Sequence, residues 1–466
     1  MPGLHQFTEK SAAGKNLVTS AEAAPQAIAG ESAASLSSGE GTGPAPDLGG
    51  RLHALLSASA ARGLVANASY LLGTQGLTSG VGFLYWAVAA RKLTSTALGS
   101  VAVTVSLMAF LASIGSLGLT IGVVRYRPAD GAGMLARGAV ALTVSGGVLV
   151  AITVALLQRA GGLPSLSALA MNSWWLVAAV PIVAVGAMTD ALALAERDTR
   201  WVLARNGVAG VGRLILLAAV VTTAAAAIGT TVLCIAASTV VIAAAVPALA
   251  TRLLPGKMLV SWSFIRYSVG QYVVNWALTT PQYLFPVLVS ATLGVGLAGY
   301  FSIAWLAAYM LSAVGDSAGA SLMAEGSADP RRLSALHTRV TRTMGGLLLI
   351  GVALAVASAP LLPVAFGAGF TPADVAVFQL LTLGAVPYFV AATTIYRFRV
   401  VGGARQALAI ALVCGPLSCV GIIVLTPWLG LIGVGWAYIV ANSGAALIAA
   451  ALLRWDARSR PKIQTV

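Results

Sequence analysis

Two carboxylates, Asp190 and Asp316, sit inside apolar stretches of this 466-residue chain. A charge in such a place is costly, so it either pairs or exchanges an ion, and both are candidates for ion coupling. Amides and hydroxyls form a second set. Gln271, Asn275, Thr279 and Gln282 fall at relative positions 0, 4, 8 and 11, which at about 100° per residue places them in one helical sector roughly 80° wide. Asn67, Thr74, Gln75 and Thr78 make a corresponding pattern earlier in the chain. Amides turned to hydrocarbon would lack hydrogen-bond partners, so both stripes face inward. There they either line water, with Gln75, Thr78, Gln271, Asn275, Thr279 and Gln282 as the wall of a cavity suited to hydroxyl-rich solutes, or bond neighbouring helices. A third set is Arg91, Arg125, Arg213 and Arg266, whose guanidinium groups match phosphate oxygens and which also serve as topology anchors.

Everything else in the composition points to a scaffold built in lipid. The chain is 58% hydrophobic and 9% charged, whereas about a quarter of a soluble protein is charged. Its 51 glycines and many alanines suit helices that pack closely without an aqueous hydrophobic effect. The apolar runs are continuous rather than alternating, which excludes a barrel. Cys234, Cys414 and Cys419 fall inside these runs, and His5, His53 and His337 lie in the N-terminal segment and one loop. They supply neither a metal-ligand spacing nor a catalytic centre, so no enzyme, cofactor or metal is expected.

The runs at 67–90, 98–123, 137–158, 173–195, 207–226, 229–250, 267–290, 294–322, 343–366, 373–396, 404–426 and 430–453 predict an all-α polytopic membrane protein with about twelve transmembrane helices. Of the 28 Lys and Arg residues, 21 fall in the connections after even-numbered helices and the C-terminal tail, and three in the others. The net charge of +14 therefore reports topology, not nucleic acid, and places both termini in the cytoplasm of a cell membrane protein. Trp86, Trp174, Trp175 and Trp428 mark outer helix ends, and Trp201, Trp262 and Trp455 inner ones. Residues 1–62, rich in Ala, Ser, Gly and Pro, read as a disordered cytoplasmic tail. Two six-helix bundles, 63–255 and 256–455, and a short tail, 456–466, complete the expected organisation.

An offset of 200 residues aligns Gly99 with Gly299, Gly115 with Gly315 and Gln75 with Asn275. Six crossings return the chain to its starting side, so such halves insert in parallel about a pseudo-twofold axis along the membrane normal. The segment through the second helix carries Ala90, Arg91, Lys92 and Leu93, then Ala97, Leu98 and Gly99, then Gly115, Leu117, Gly118, Leu119 and Arg125. With ALALAERDTRWVLARNGVAGVGRLILL and the closing Gly402, Gly403, Leu429, Gly430, Gly433, Gly435 and Ala437, this pattern resembles the polysaccharide (O-antigen type) flippases of the multidrug/oligosaccharidyl-lipid/polysaccharide exporter superfamily. The resemblance covers about residues 63 to 455. It implies a V-shaped cavity between two bundles and ion-coupled alternating access. The implied cargo is a polyprenyl-diphosphate-linked oligosaccharide, supplied by glycosyltransferases and consumed by a polymerase, whose diphosphate the four arginines would meet. Many relatives have an acid near the middle of helix 2; this chain has Ser116, so no acidic role is carried over.

The competing readings are a multidrug antiporter of the same superfamily, a lipid II-type flippase, a major-facilitator transporter and a membrane-embedded transferase. The first usually has an acid in helix 1, absent here, and the second commonly has fourteen spans. The third needs a charged Gly-rich loop after helix 2, which RYRPADGAGMLARG does not provide. The fourth needs clustered carboxylates.

Overall fold

The computed structural model describes residues 76–125, 132–160, 174–196, 198–246, 257–258, 260–328, 332–367 and 369–459. Among them there are helices and no strands. The first span appears as α1 (76–92). The second is broken into α2 (Ser95–Ser116) and α3 (Leu119–Arg125). Four more follow as α4 (Ala132–Arg159), α5 (Trp174–Ala195), α6 (Arg200–Ala219) and α7 (Ala224–Ala245). The second half opens with the long helices α8 (Trp262–Leu293) and α9 (Val295–Ala328). It continues through α10 (Leu333–Ser358) with its short extension α11 (Leu362–Phe366), then α12 (Pro372–Val400). The eleventh span is broken at Gly415 into α13 (Ala404–Cys414) and α14 (Pro416–Leu429), and α15 (Ile432–Ser459) closes the chain.

This is the expected all-α polytopic membrane fold in two bundles. Ten stretches are long and apolar enough to cross a bilayer unaided. Two further helices stand outside that set: α1, described only from residue 76, and α8, whose polar stripe lowers its hydropathy. Side-chain caps set several starts: Thr94 and Ser261 accept hydrogen bonds from the amides of Ala97 and Phe264. Thr371 and Asp374 form a reciprocal capping box.

The break in the second span is conformational. Leu117 (φ 45°) and Gly118 (φ 74°) both adopt left-handed backbone, and the turn brings α3 against α8. A Cβ at Gly118 would lie 2.5 Å from the Ser268 carbonyl oxygen, so only glycine fits. The Gly415 break serves a similar close approach, because any Cβ there would collide with the carbonyl of Ala277 on α8.

Helices α1–α7 form the first lobe and α8–α15 the second. In the second, α9, α12 and α15 pack side by side; in the first, α4 packs on α2 and α5, and α6 on α7. The lobes meet unevenly along their length. At the end holding the α1–α2 junction, one continuous apolar core runs through both, from Leu98 and Leu217 to Phe301, Phe366 and Tyr438. At the opposite end the core is divided: Leu119, Leu192 and Val202 cluster with Phe264 of α8, where α3 meets that helix, and Ile395, Ile410 and Ala445 form a separate second-lobe cluster. Gly99 and Gly299, aligned by the sequence offset, lie against each other across the joined end. A Cβ on Gly299 would lie 2.8 Å from the Gly99 amide nitrogen.

Candidate functional site

Where the shared core ends, a cavity of about 410 Å³ opens between the lobes. Thr78, Trp86 and Arg213 wall it on the first lobe, and Gln282, Trp305 and Tyr309 on the second. A second cavity of about 220 Å³ shares Ala109 and Tyr283 with it and is lined by Ser113, Ser116, Tyr272, Asn275 and Thr279. Two cavities sharing walls run along part of the α8 stripe. Gln282 and Thr78 border the larger cavity, Asn275 and Thr279 the smaller, and Gln271 borders neither. Gln75, with Asn67 and Thr74, lies outside the described residues.

Of the candidate arginines whose side chains are described, Arg213 reaches the larger cavity. The apolar run at 207–226 already contains it near its start, although its charge counts with the connection before that run; in the structure the span begins at Arg200 and Arg213 lies deep inside α6. The shift has a physical cause. Arg205, buried in the preceding turns, is neutralised by Asp190, which leaves the helix free to start earlier. The Arg213 guanidinium lies 5.0 Å from the Tyr85 ring centroid, a cation-π contact. Its Nε is buried without a hydrogen-bond partner, and no carboxylate pairs with it among the described residues. An arginine held in this way beside an open cavity is a ready site for an anion.

The other arginines are placed elsewhere. Arg91 donates to the Ala365 carbonyl at 2.9 Å, linking α1 to α11 across the lobes. Its neighbour Lys92 donates to the carbonyls of Leu217 and Ala218 at the C-terminal end of α6. Arg266 is exposed in the first turns of α8, and the Arg125 side chain is outside the described residues. Trp86, expected at a headgroup interface, faces the cavity instead. Trp175, Trp262, Trp428 and Trp455 are exposed on helix ends.

The two carboxylates differ. Asp190 receives a bidentate pair from Arg205, Nε to Oδ1 at 2.6 Å and Nη2 to Oδ2 at 2.5 Å, and a third bond from Asn206 at 3.1 Å. That is an internal pair within the first lobe, with its charge matched. Asp316 has no such cation. The Tyr388 hydroxyl donates to both its oxygens, at 3.0 and 3.2 Å.

Composition hid a further stripe. Trp305, Tyr309, Ser312 and Asp316 stand at relative positions 0, 4, 7 and 11 on α9, within one sector of about 60°. Trp305 donates to the Gln282 carbonyl at 3.4 Å, Tyr309 to Gln282 Oε1 at 3.0 Å, and Ser312 meets the Tyr438 hydroxyl at 2.9 Å. The aromatic residues read as ordinary apolar filling by composition; their spacing in register with Asp316 was the available signal.

No protein-family model and no curated protein sequence matches the chain. Solved structures do match its fold. An inward-facing multidrug resistance MATE family transporter of the MOP superfamily superposes with a TM-score of 0.65 at 14% identity, over 84% of this chain and 96% of that one. The lipid II flippase MurJ, in an inward closed conformation, gives 0.64 at 12% identity, over 84% and 87%. A MATE transporter in a bent conformation gives 0.55 at 13% identity, over 84% and 95%. The chain therefore has the two-lobed fold of MOP superfamily transporters.

Proposed function

We propose that this chain is a flippase that carries a polyprenyl-diphosphate-linked oligosaccharide across the cytoplasmic membrane for surface polysaccharide synthesis, its two lobes rocking about the cavity between them. The observation that carries this reading is Arg213: an arginine without a carboxylate partner among the described residues, facing an interlobe cavity whose other walls combine the Gln282 amide, Ser, Thr and Tyr hydroxyls and indole rings with apolar side chains. Guanidinium suits diphosphate, amides and hydroxyls suit sugar hydroxyls, and aromatic faces suit the apolar side of a pyranose. A volume of about 410 Å³ falls within the range of about 300–1,000 Å³ of small-molecule sites. It holds the head group while the polyprenyl tail stays in the bilayer.

A multidrug exporter of cationic compounds shares the fold, but its cargo calls for an acid at the cavity wall, and the lining here carries an arginine and no acid. A lipid II-type flippase would use the same diphosphate chemistry with a different glycan. With Lys and Arg concentrated in alternate connections, the α1–α2 end is the outer one and both termini are cytoplasmic. Glycosyltransferases then supply the cargo at the inner face, and a polymerase consumes it outside.

A strain lacking the protein is expected to accumulate oligosaccharide lipid whose sugars face the cytoplasm, measured by lipid extraction and by protection from an impermeant glycosidase. Normal surface glycan combined with lost drug efflux would overturn the reading in favour of the multidrug one.

A further inference from the structure

Helix α8 carries two prolines, Pro281 and Pro286. Each lacks the amide that would bond the carbonyl four residues earlier, so the carbonyls of Ala277 and Gln282 cannot be satisfied by the helix itself. The two are treated differently. The Ala277 carbonyl lies against Gly415, at the break between α13 and α14. The Gln282 carbonyl instead accepts the Trp305 indole N–H at 3.4 Å. Trp305 is 3% exposed. Its ring is packed by Phe285, with centroids 4.7 Å apart, and by Tyr438 at 5.3 Å, so this donor has little freedom to move.

The Gln282 side chain is held from the same helix, α9. One turn beyond Trp305, the Tyr309 hydroxyl donates to Gln282 Oε1 at 3.0 Å. That bond occupies the accepting end of the amide and leaves Nε2, which can only donate. Nε2 meets no acceptor among the described residues, and Gln282 lines the cavity of about 410 Å³. Pro286, one turn along α8, lines it too, and its ring sets an apolar surface beside the amide donor. Arg213, on the first-lobe wall of the same cavity, is likewise a donor without accepting capacity.

We propose that Gln282 is a specificity-determining residue that reads the sugar next to the diphosphate, selecting an N-acetyl amino sugar over one with a hydroxyl at the same carbon, and that Trp305 and Tyr309 are its positioning residues. This rests on the reading of the cargo as a glycosyl diphosphate lipid whose diphosphate meets Arg213. An N-acetyl group matches both parts of the wall: its carbonyl oxygen accepts from Nε2, and its methyl covers the Pro286 ring. A hydroxyl supplies an oxygen but leaves the ring uncovered. A carboxylate would set its second charged oxygen against that ring. Two bonds from α9 hold the amide in place before any sugar arrives, which is what a discriminating donor requires.

The test is competition between two probes that differ only at that carbon, polyprenyl-diphosphate N-acetylglucosamine and polyprenyl-diphosphate glucose, offered together to the purified full chain and counted by native mass spectrometry. One hydrogen bond and the covered ring should give the wild type a preference of about tenfold for the acetamido probe. Gln282→Leu, close in size, should bring the ratio near one. Tyr309→Phe leaves Gln282 in place but frees Oε1, so the amide can turn its oxygen to a hydroxyl, and the ratio should fall here as well. Because the ratio is taken within one sample, a poorly folded variant lowers both probes alike and cannot imitate the result. A wild-type ratio near one, or a Gln282→Leu ratio equal to that of the wild type, would overturn the inference and leave the cargo reading intact. A chain that binds selectively but translocates neither lipid keeps the role of Gln282 and loses the flippase reading. A chain that binds neither probe overturns both.

Discussion

Replacing Arg213 with leucine is expected to abolish transport of the lipid-linked glycan without lowering the amount of protein in the membrane. Losing one member of a desolvated, hydrogen-bonded charge pair costs about 2–5 kcal/mol, so uptake at limiting substrate should fall at least roughly thirtyfold. Arg213→Lys keeps the charge and loses the planar fork, and should fall between the two. The variants also separate the cargo readings. For a cationic drug, removing a positive charge from the cavity wall should leave transport unchanged or raise it. Folding should tolerate the leucine, because the arginine forms no ion pair among the described residues and its main contact is the Tyr85 ring.

The joined end of the lobes gives the second large effect. Gly99 and Gly299 permit backbone contact there, and a Cβ on Gly99 would run into the Val295 carbonyl. Gly99→Leu should therefore disfavour the state in which this end is closed. Overpacking costs about 1–3 kcal/mol, which displaces a two-state equilibrium by about 5- to 150-fold. The expected result is slow transport and faster reaction of a nearby cysteine with an impermeant thiol reagent from outside. The complementary experiment locks the same end shut. A Cβ on Gly296 would lie 3.8 Å from Ser95 Oγ, so Ser95→Cys with Gly296→Cys, in a background lacking Cys234, Cys414 and Cys419, should form a disulfide that blocks transport until reduced. Normal transport in the oxidised double variant would mean that the lobes need not separate there.

The membrane crossings were legible because hydrocarbon demands long apolar helices, and the alternation of Lys and Arg checks their number. The polar stripe of α8 was legible for the same reason: amides in a span are conspicuous, and their spacing fixes a face. The fifth span was displaced toward the C-terminus because a hydropathy pattern leaves Arg200 and Arg205 outside the helix. It cannot know that Arg205 meets a carboxylate on the neighbouring helix, or that Arg213 faces a cavity. The cavity's aromatic wall stayed hidden because Trp305 and Tyr309 score as apolar filling, although their register with Asp316 pointed to a shared face. The Tyr388 bond to Asp316 joins residues 72 positions apart on different helices, and only the packing of α9 on α12 reveals it.

The most direct measurement is translocation by the purified chain in liposomes that carry a polyprenyl-diphosphate oligosaccharide with a radiolabelled sugar in both leaflets. The outer-leaflet sugar is first removed by an impermeant glycosidase, and the enzyme is left present. The account predicts that wild-type protein then exposes the protected inner pool to cleavage over time, and that Arg213→Leu protein leaves it protected as protein-free vesicles do. An inner pool that stays protected with the wild type, in vesicles where the same protein moves a cationic dye, would contradict the account.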